Sequence, residues 1–167
     1  MNQTLGSTLP LVELHIGQIP GISGQHLPTT QFLTSAYTNS TTTFSNITGL
    51  SFSASASQNY KWVCDLDYQT SATTANLKIQ ITGPTSPTAV TYDVSSYDTS
   101  TAVVGAAATA FSTSLPTGPT TPSTNLNLPV RVTMTLLNGS NAGTVQLQAA
   151  ATGTGTITIK PASCQMQ

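Results

Sequence analysis

The stretch "YKWVCDLDYQTSATTANLKIQITGP", residues 60–84, holds the only tryptophan of the chain, one of its two cysteines and a concentration of charge found nowhere else in it. Alternation puts Trp62, Cys64, Leu66 and Tyr68 on one side of an extended segment and Lys61, Val63, Asp65 and Asp67 on the other. Large apolar side chains on every second residue, opposite a row that carries charge, describe a strand with one face in a core and one toward solvent. The stretch therefore predicts a buried central strand, Tyr60–Gln69, followed by a second strand over Asn76–Thr82.

From about residue 41 onward the same period of two recurs in short runs separated by Gly, Pro, Asn and Ser. The expected strands are Thr42–Ile47, Leu50–Ala56, Tyr60–Gln69, Asn76–Thr82, Ala89–Val94, Ala102–Phe111, Pro129–Leu137, Thr144–Ala150 and Thr156–Lys160. Nine short strands with turn signals between them predict an all-β antiparallel sandwich or jelly roll. "AVVGAAATAF" also suits a helix because alanine favours one. In "LLNGSNAGTVQLQ", Asn138-Gly139 has the chemistry of a tight hairpin turn. The segment 112–129, with four prolines, is expected to be a long surface loop.

Residues 1–33 differ from residues 34–167. "LPLVELHIGQIPGISGQHLPTTQF" interrupts its apolar residues with prolines at 10, 20 and 28 and glycines at 17, 21 and 24. Proline removes a ladder donor and biases its predecessor to extended backbone, so no regular element of its own is expected here. Yet Leu11, Val12, Leu14 and Ile16 are too apolar for an idle tail. The segment reads as an extended N-terminal arm, with Leu11, Val12, Leu14, His15 and Ile16 as its contact residues, ahead of a sandwich domain over 34–167.

With 167 residues the chain has the size of one domain with a core of its own. Only 5% of residues are charged and the formal net charge is −1, so the surface is hydroxyl and amide rather than ionic. No cluster of like charge exists to neutralise phosphates or hold an anionic membrane, which argues against nucleic-acid and membrane partners. No apolar run of 18 residues is present, and "MNQTLGSTLPLVELHIG" lacks the basic start and long apolar core of a secretion signal. Synthesis and assembly in a cytoplasm is the expectation. Two cysteines make neither a disulfide framework nor a zinc site, and Cys64 and Cys164 are expected to be free thiols. The sequons at Asn2, Asn39, Asn46 and Asn138 carry no weight without a signal peptide.

Candidate chemistry is sparse. Asp65 and Asp67 share one side of a strand and in principle form a carboxylate pair or hold a hard cation. No histidine or third carboxylate is near in sequence, so they read as a solvated pair. His15 and His26, 11 residues apart and without a nearby cysteine, match no metal spacing. No Gly-X-Ser-X-Gly elbow occurs, and the glycines at 153–155 lack a phosphate-loop lysine. No catalytic residues, metal or cofactor are predicted, and the chain is read as a non-enzyme.

Phe52, Tyr60, Trp62, Leu66, Tyr68, Thr70, Gly83 and Pro84, followed by Gly143, Val145, Gln146, Leu147 and Gln148, form a pattern that resembles a module of structural proteins in tailed bacteriophages. The resemblance covers residues 41–167. Trp62 stands where the module usually has Phe, Cys64 is an unusual choice, and Cys164 lies near where a Gly-Ser pair commonly precedes the final strand. The resemblance implies a homotrimeric jelly roll on the outside of a virion, with the major capsid protein or another virion protein as partner. The first expectation is a capsid decoration (cement) protein that binds the outer surface of the head and stabilises it through its arm. The alternative is a fibre, collar or receptor-binding head whose loops touch a host glycan. A carbohydrate-binding module is a remoter one, since Trp62 is the only candidate platform. Thr144, Gln146 and Gln148, opposite Val145 and Leu147, are the candidate trimer face.

Overall fold

A computed structural model describes residues 29–97, 103–116 and 124–167. The candidate arm residues Leu11, Val12, Leu14, His15 and Ile16, and His26, lie outside them. Two antiparallel sheets pack face to face. The larger contains β1 (Thr30–Leu33), β2 (Tyr37–Asn39), β4 (Asn59–Thr70), β6 (Ala89–Tyr97), β7 (Val103–Ala108), β9 (Leu128–Leu137), β11 (Ile157–Ile159) and β12 (Ala162–Met166). Its main order is β1-β12-β4-β9-β6-β7, with β11 beside β4 and β2 beside β11. The smaller sheet, in the order β3-β10-β5-β8, consists of β3 (Ser45–Ala54), β10 (Gly143–Ala151), β5 (Leu77–Thr82) and β8 (Leu115–Pro116). The all-β antiparallel sandwich is the architecture expected from the alternation.

Strand β4 is central. Tyr60, Trp62, Cys64, Leu66 and Tyr68 are buried on its inner side, while Lys61, Asp65 and Asp67 are exposed on the other. Phe52 of β3 reaches across the core to Tyr60 and Trp62, with ring centroids 5.2 and 5.3 Å apart, the Trp62 contact edge-on. Such tilted pairs add about 0.5–1.5 kcal/mol beyond the area they bury. The polar ends of the large rings are satisfied: Trp62 Nε1 donates to Gln31 Oε1 at 2.9 Å and Tyr68 Oη to Asn76 Oδ1 at 2.6 Å. Val63, on the outer side of β4, is also buried, flanked by Thr133 and Gln165 on the neighbouring strands.

Several expectations are corrected. Cys64 and Cys164 are not free thiols: they form a disulfide with an S–S distance of 2.03 Å. The cause is register, since β12 runs antiparallel to β4 with Cys164 directly opposite Cys64. Strand β12 itself escaped the sequence reading because Pro161 separates it from β11. Both strands pair with β4, but the pairing slips by one residue between Ile159↔Tyr68 and Ser163↔Asp65. Asn138-Gly139 does not close a hairpin. Strands β9 and β10 lie in different sheets, and residues 138–142 carry the chain across the end of the sandwich. Asn138 is buried there, its Nδ2 donating to the carbonyls of Ser55 and Asn141.

The runs read as Thr42–Ile47 and Leu50–Ala56 are one strand, β3, interrupted by a bulge: Gln146 pairs with Ser51, but Gln148 already pairs with Asn46. Gly49 has φ +93 and a Cβ there would sit 2.8 Å from the Phe32 carbonyl oxygen, so the bulge requires glycine. The alanine-rich segment is the strand β7 and not a helix. The sheet begins at Thr30, within the segment read as arm, because β1 pairs with β12 and the Met166 amide donates to the Thr29 carbonyl at 3.0 Å. The expected loop 112–129 contains β8, and its residues 117–123 lie outside the described ones.

Candidate functional site

With no helix among the described residues, the surfaces on offer are the outer faces of the two sheets and their edges. The faces differ in charge. Lys61, Asp65, Asp67, Asp93 and Arg131 all stand on the outer face of the larger sheet, on the three adjacent strands β4, β9 and β6. Elsewhere among the described residues only Lys78 and Lys160 are charged. A shallow cleft of about 430 Å³ at the Asp67 end of this face is lined by Asp65, Asp67, Ser95, Pro129, Arg131 and Pro161. Arg131 Nε lies 3.8 Å from Asp65 Oδ1, and both side chains are well exposed. An exposed pair of this kind is worth about 0–1 kcal/mol. Asp65 thus has a cation across the strands, and among the described residues no group of three His, Cys, Asp or Glu side chains is placed to hold a metal ion.

The outer face of the smaller sheet carries the candidate trimer residues. Thr144 is exposed, and Gln146 and Gln148 are half-buried between β3 and β5. Gln148 links the strands: its Nε2 donates to Asn46 Oδ1 at 2.7 Å, and its Oε1 accepts from Gln80 Nε2 at 2.6 Å. A ladder of amides therefore runs across β5, β10 and β3. Gln146 has a different task. Its Nε2 meets the carbonyl oxygens of Ile47, Leu50 and Leu147 at 3.0, 3.1 and 2.8 Å, and the first two belong to the part of β3 that the bulge leaves without register partners on β10. Lys78, the one charge on this sheet, lies with its Nζ 5.1 Å from the centroid of the Phe44 ring.

Sequence reasoning placed Thr144, Gln146 and Gln148 on one face. It did not find Asn46 and Gln80, because they lie 102 and 68 residues from their cross-strand partner Gln148, and such separations leave no local signal. Gln31, Asn76 and Asn39 were missed for the same reason. Asn39 is buried and its Nδ2 donates to the carbonyls of Thr43 and Ala149, both at 3.0 Å. Of the sequons, Asn39 and Asn138 have amides engaged inside the fold, Asn46 is tied to Gln148, and Asn2 lies outside the described residues.

The residues that carried the resemblance are drawn together. Strand β10 lies between β3 and β5, with Val145 opposite Phe52 and Leu147 opposite Ile81. Gly143 is pressed against Pro84: a Cβ on it would lie 3.1 Å from the proline Cα. No family model matches the chain, and no curated protein does either.

Proposed function

We propose that this chain is a virion structural protein of a tailed bacteriophage, a capsid decoration (cement) protein that binds the outer surface of the head as a homotrimer. The observation that carries this reading is the packing of the module residues. Phe52, Tyr60 and Trp62 form one aromatic cluster, and the Gly143–Gln148 strand is inserted between the two strands that the rest of the pattern supplies. The surface chemistry supports the same reading. A charge-poor hydroxyl and amide sheet face is weakly defended against association, and assembly on a shell covers it. The arm, with Leu11, Val12, Leu14, His15 and Ile16, makes contact with the major capsid protein or a neighbouring copy. Thr144, Gln146 and Gln148 face the threefold axis. Binding that is selective for the assembled shell stabilises that state by mass action.

The burial of Trp62, at 1% exposure with its indole N–H bonded to Gln31, speaks against the carbohydrate-binding alternative that relied on it as a stacking platform. The test adds purified protein to heads that lack it and follows both binding and the temperature at which the heads release their contents. Saturable binding at hundreds of copies with a raised release temperature is expected. Heads that neither bind the protein nor gain stability would defeat the proposal.

A further inference from the structure

Asn138-Gly139 is the only Asn-Gly pair in the chain, and the fold has no hairpin for it to close. Three crossovers between the sheets meet around it instead. Residues 55–58 lead from β3 to β4, residues 83–88 from β5 to β6, and residues 138–142 from β9 to β10. The Asn138 backbone amide donates to the Gln58 carbonyl at 2.9 Å, and the Gly139 carbonyl accepts from the Ser57 amide at 2.7 Å. The Asn138 side chain completes the knot: its Nδ2 donates to the Ser55 carbonyl at 2.7 Å and to the Asn141 carbonyl at 2.9 Å. Asn141 in turn donates through its own Nδ2 to the Thr85 carbonyl at 3.0 Å. Asn138 is 5% exposed, and its Oδ1 has no hydrogen-bond partner among the described residues. Gly139 cannot be exchanged for a larger residue, since a Cβ on it would lie 2.5 Å from the Ser86 carbonyl oxygen.

We infer that Asn138 is a deamidation site which the folded state holds in check, and whose conversion to aspartate unlocks this end of the sandwich irreversibly. The reaction needs only water. The Gly139 backbone nitrogen attacks Asn138 Cγ, its proton passes to the leaving amino group as the Cγ–Nδ2 bond breaks, and ammonia departs from a succinimide ring. Water then opens either carbonyl of that ring, giving aspartate or, with the chain rerouted through the side chain, isoaspartate. A glycine after the asparagine offers no side chain to hinder the attack, and glycine is what the Ser86 carbonyl demands at 139. Packing thus imposes the labile pair, and the surroundings restrain it. Attack turns Oδ1 into an oxyanion, which forms readily only where donors receive it. In the fold Oδ1 is buried with no donor among the described residues, and Nδ2 is held by two carbonyls. Local opening gives both atoms to water. Once formed, the aspartate carboxylate would set an oxygen where Nδ2 was, against the Ser55 and Asn141 carbonyl oxygens. Acceptors with no proton between them, one of them charged and cut off from water, do not re-form the closure.

The test ages purified full-length protein at mildly alkaline pH, folded in buffer or unfolded in urea without reductant, and locates deamidation by mass-spectrometric peptide mapping. Asn138 is expected to convert at least roughly tenfold more slowly in the folded protein than in the unfolded chain, because reaction waits for local opening. Equal rates in the two states, or no conversion in either, would overturn the inference. After partial conversion in urea the chains are returned to buffer and the native fraction is separated by sedimentation. That fraction is expected to hold Asn138, with aspartate and isoaspartate concentrated in the chains that do not regain the native state. Native protein that carries the deamidated residue in the proportion of the whole mixture would equally overturn it. Two variants separate the loss of a donor from the arrival of an acceptor: Asn138→Asp should melt at a lower temperature than Asn138→Ala, or fail to fold where the alanine variant folds. An aspartate variant as stable as the alanine one contradicts the unlocking, and should neither variant fold, the ageing experiment alone decides.

Discussion

Trp62 and Gln146 show two ways in which a single side chain holds this sandwich. Trp62 fills the space between the sheets against Phe52, and Trp62→Ala should lower stability by about 3–5 kcal/mol in denaturant titrations, while the native protein's tryptophan emission should be that of a buried indole. Gln146 is half-buried and polar, yet Gln146→Ala strips the Ile47 and Leu50 carbonyls of a donor. A loss of about 1–3 kcal/mol is expected, larger than for Gln148→Ala, whose partners are side-chain amides that can turn to water. By contrast, Asp65→Asn with Asp67→Asn should leave stability within about 0.5 kcal/mol, since both are exposed and the Arg131 pair is solvated. Tyr92 sets a pH dependence. Burial raises its phenol above the ordinary value, partly offset by hydrogen bonds at Ile81 and Thr113. The folded state therefore keeps the phenol neutral where the unfolded chain ionises it. The stability so contributed is complete below about pH 10 and lost as pH rises further. Tyr92→Phe should remove that contribution to the alkaline limb of a stability-versus-pH curve.

At the scale of elements, the decisive feature is that β12 is the penultimate strand of the larger sheet and is bonded covalently to β4. The Cys64–Cys164 link closes a loop with a sequence separation of 100, and a cross-link over so long a loop stabilises by about 2–5 kcal/mol, chiefly by restricting the unfolded chain. Reductant, or Cys64→Ala with Cys164→Ala, should lower the melting temperature by on the order of 10 °C in calorimetry. Because β1 hangs on β12, amides of residues 30–33 should lose protection before those of β9, which is paired on both sides.

For the molecule as a whole, strand pairing is dominated by distant partners: β1 with β12, β3 with β10, β4 with β9. Each requires a long loop to close before any contact is gained, so folding in milliseconds to seconds is expected, with no fast local phase. Stopped-flow refolding followed by Trp62 emission measures this. The two faces also bear on assembly. The charged outer face of the larger sheet is suited to water, and the amide face of the smaller sheet loses little electrostatic solvation when another surface covers it.

What the sequence by itself determined was set by side-chain alternation. Trp62, Cys64, Leu66 and Tyr68 had to be inward and Asp65 and Asp67 outward, because a strand repeats every two residues and only one of its faces meets the core. All-β architecture and the position of most strands followed from the same local physics. The tertiary structure alone decided which strands are neighbours. The Cys64–Cys164 bond, the Gln80–Gln148–Asn46 ladder, the Trp62–Gln31 bond and the failure of Asn138-Gly139 to form a hairpin all depend on register between segments far apart in the chain. That register is fixed by how the whole set of apolar faces closes over one core, and no window of sequence contains it.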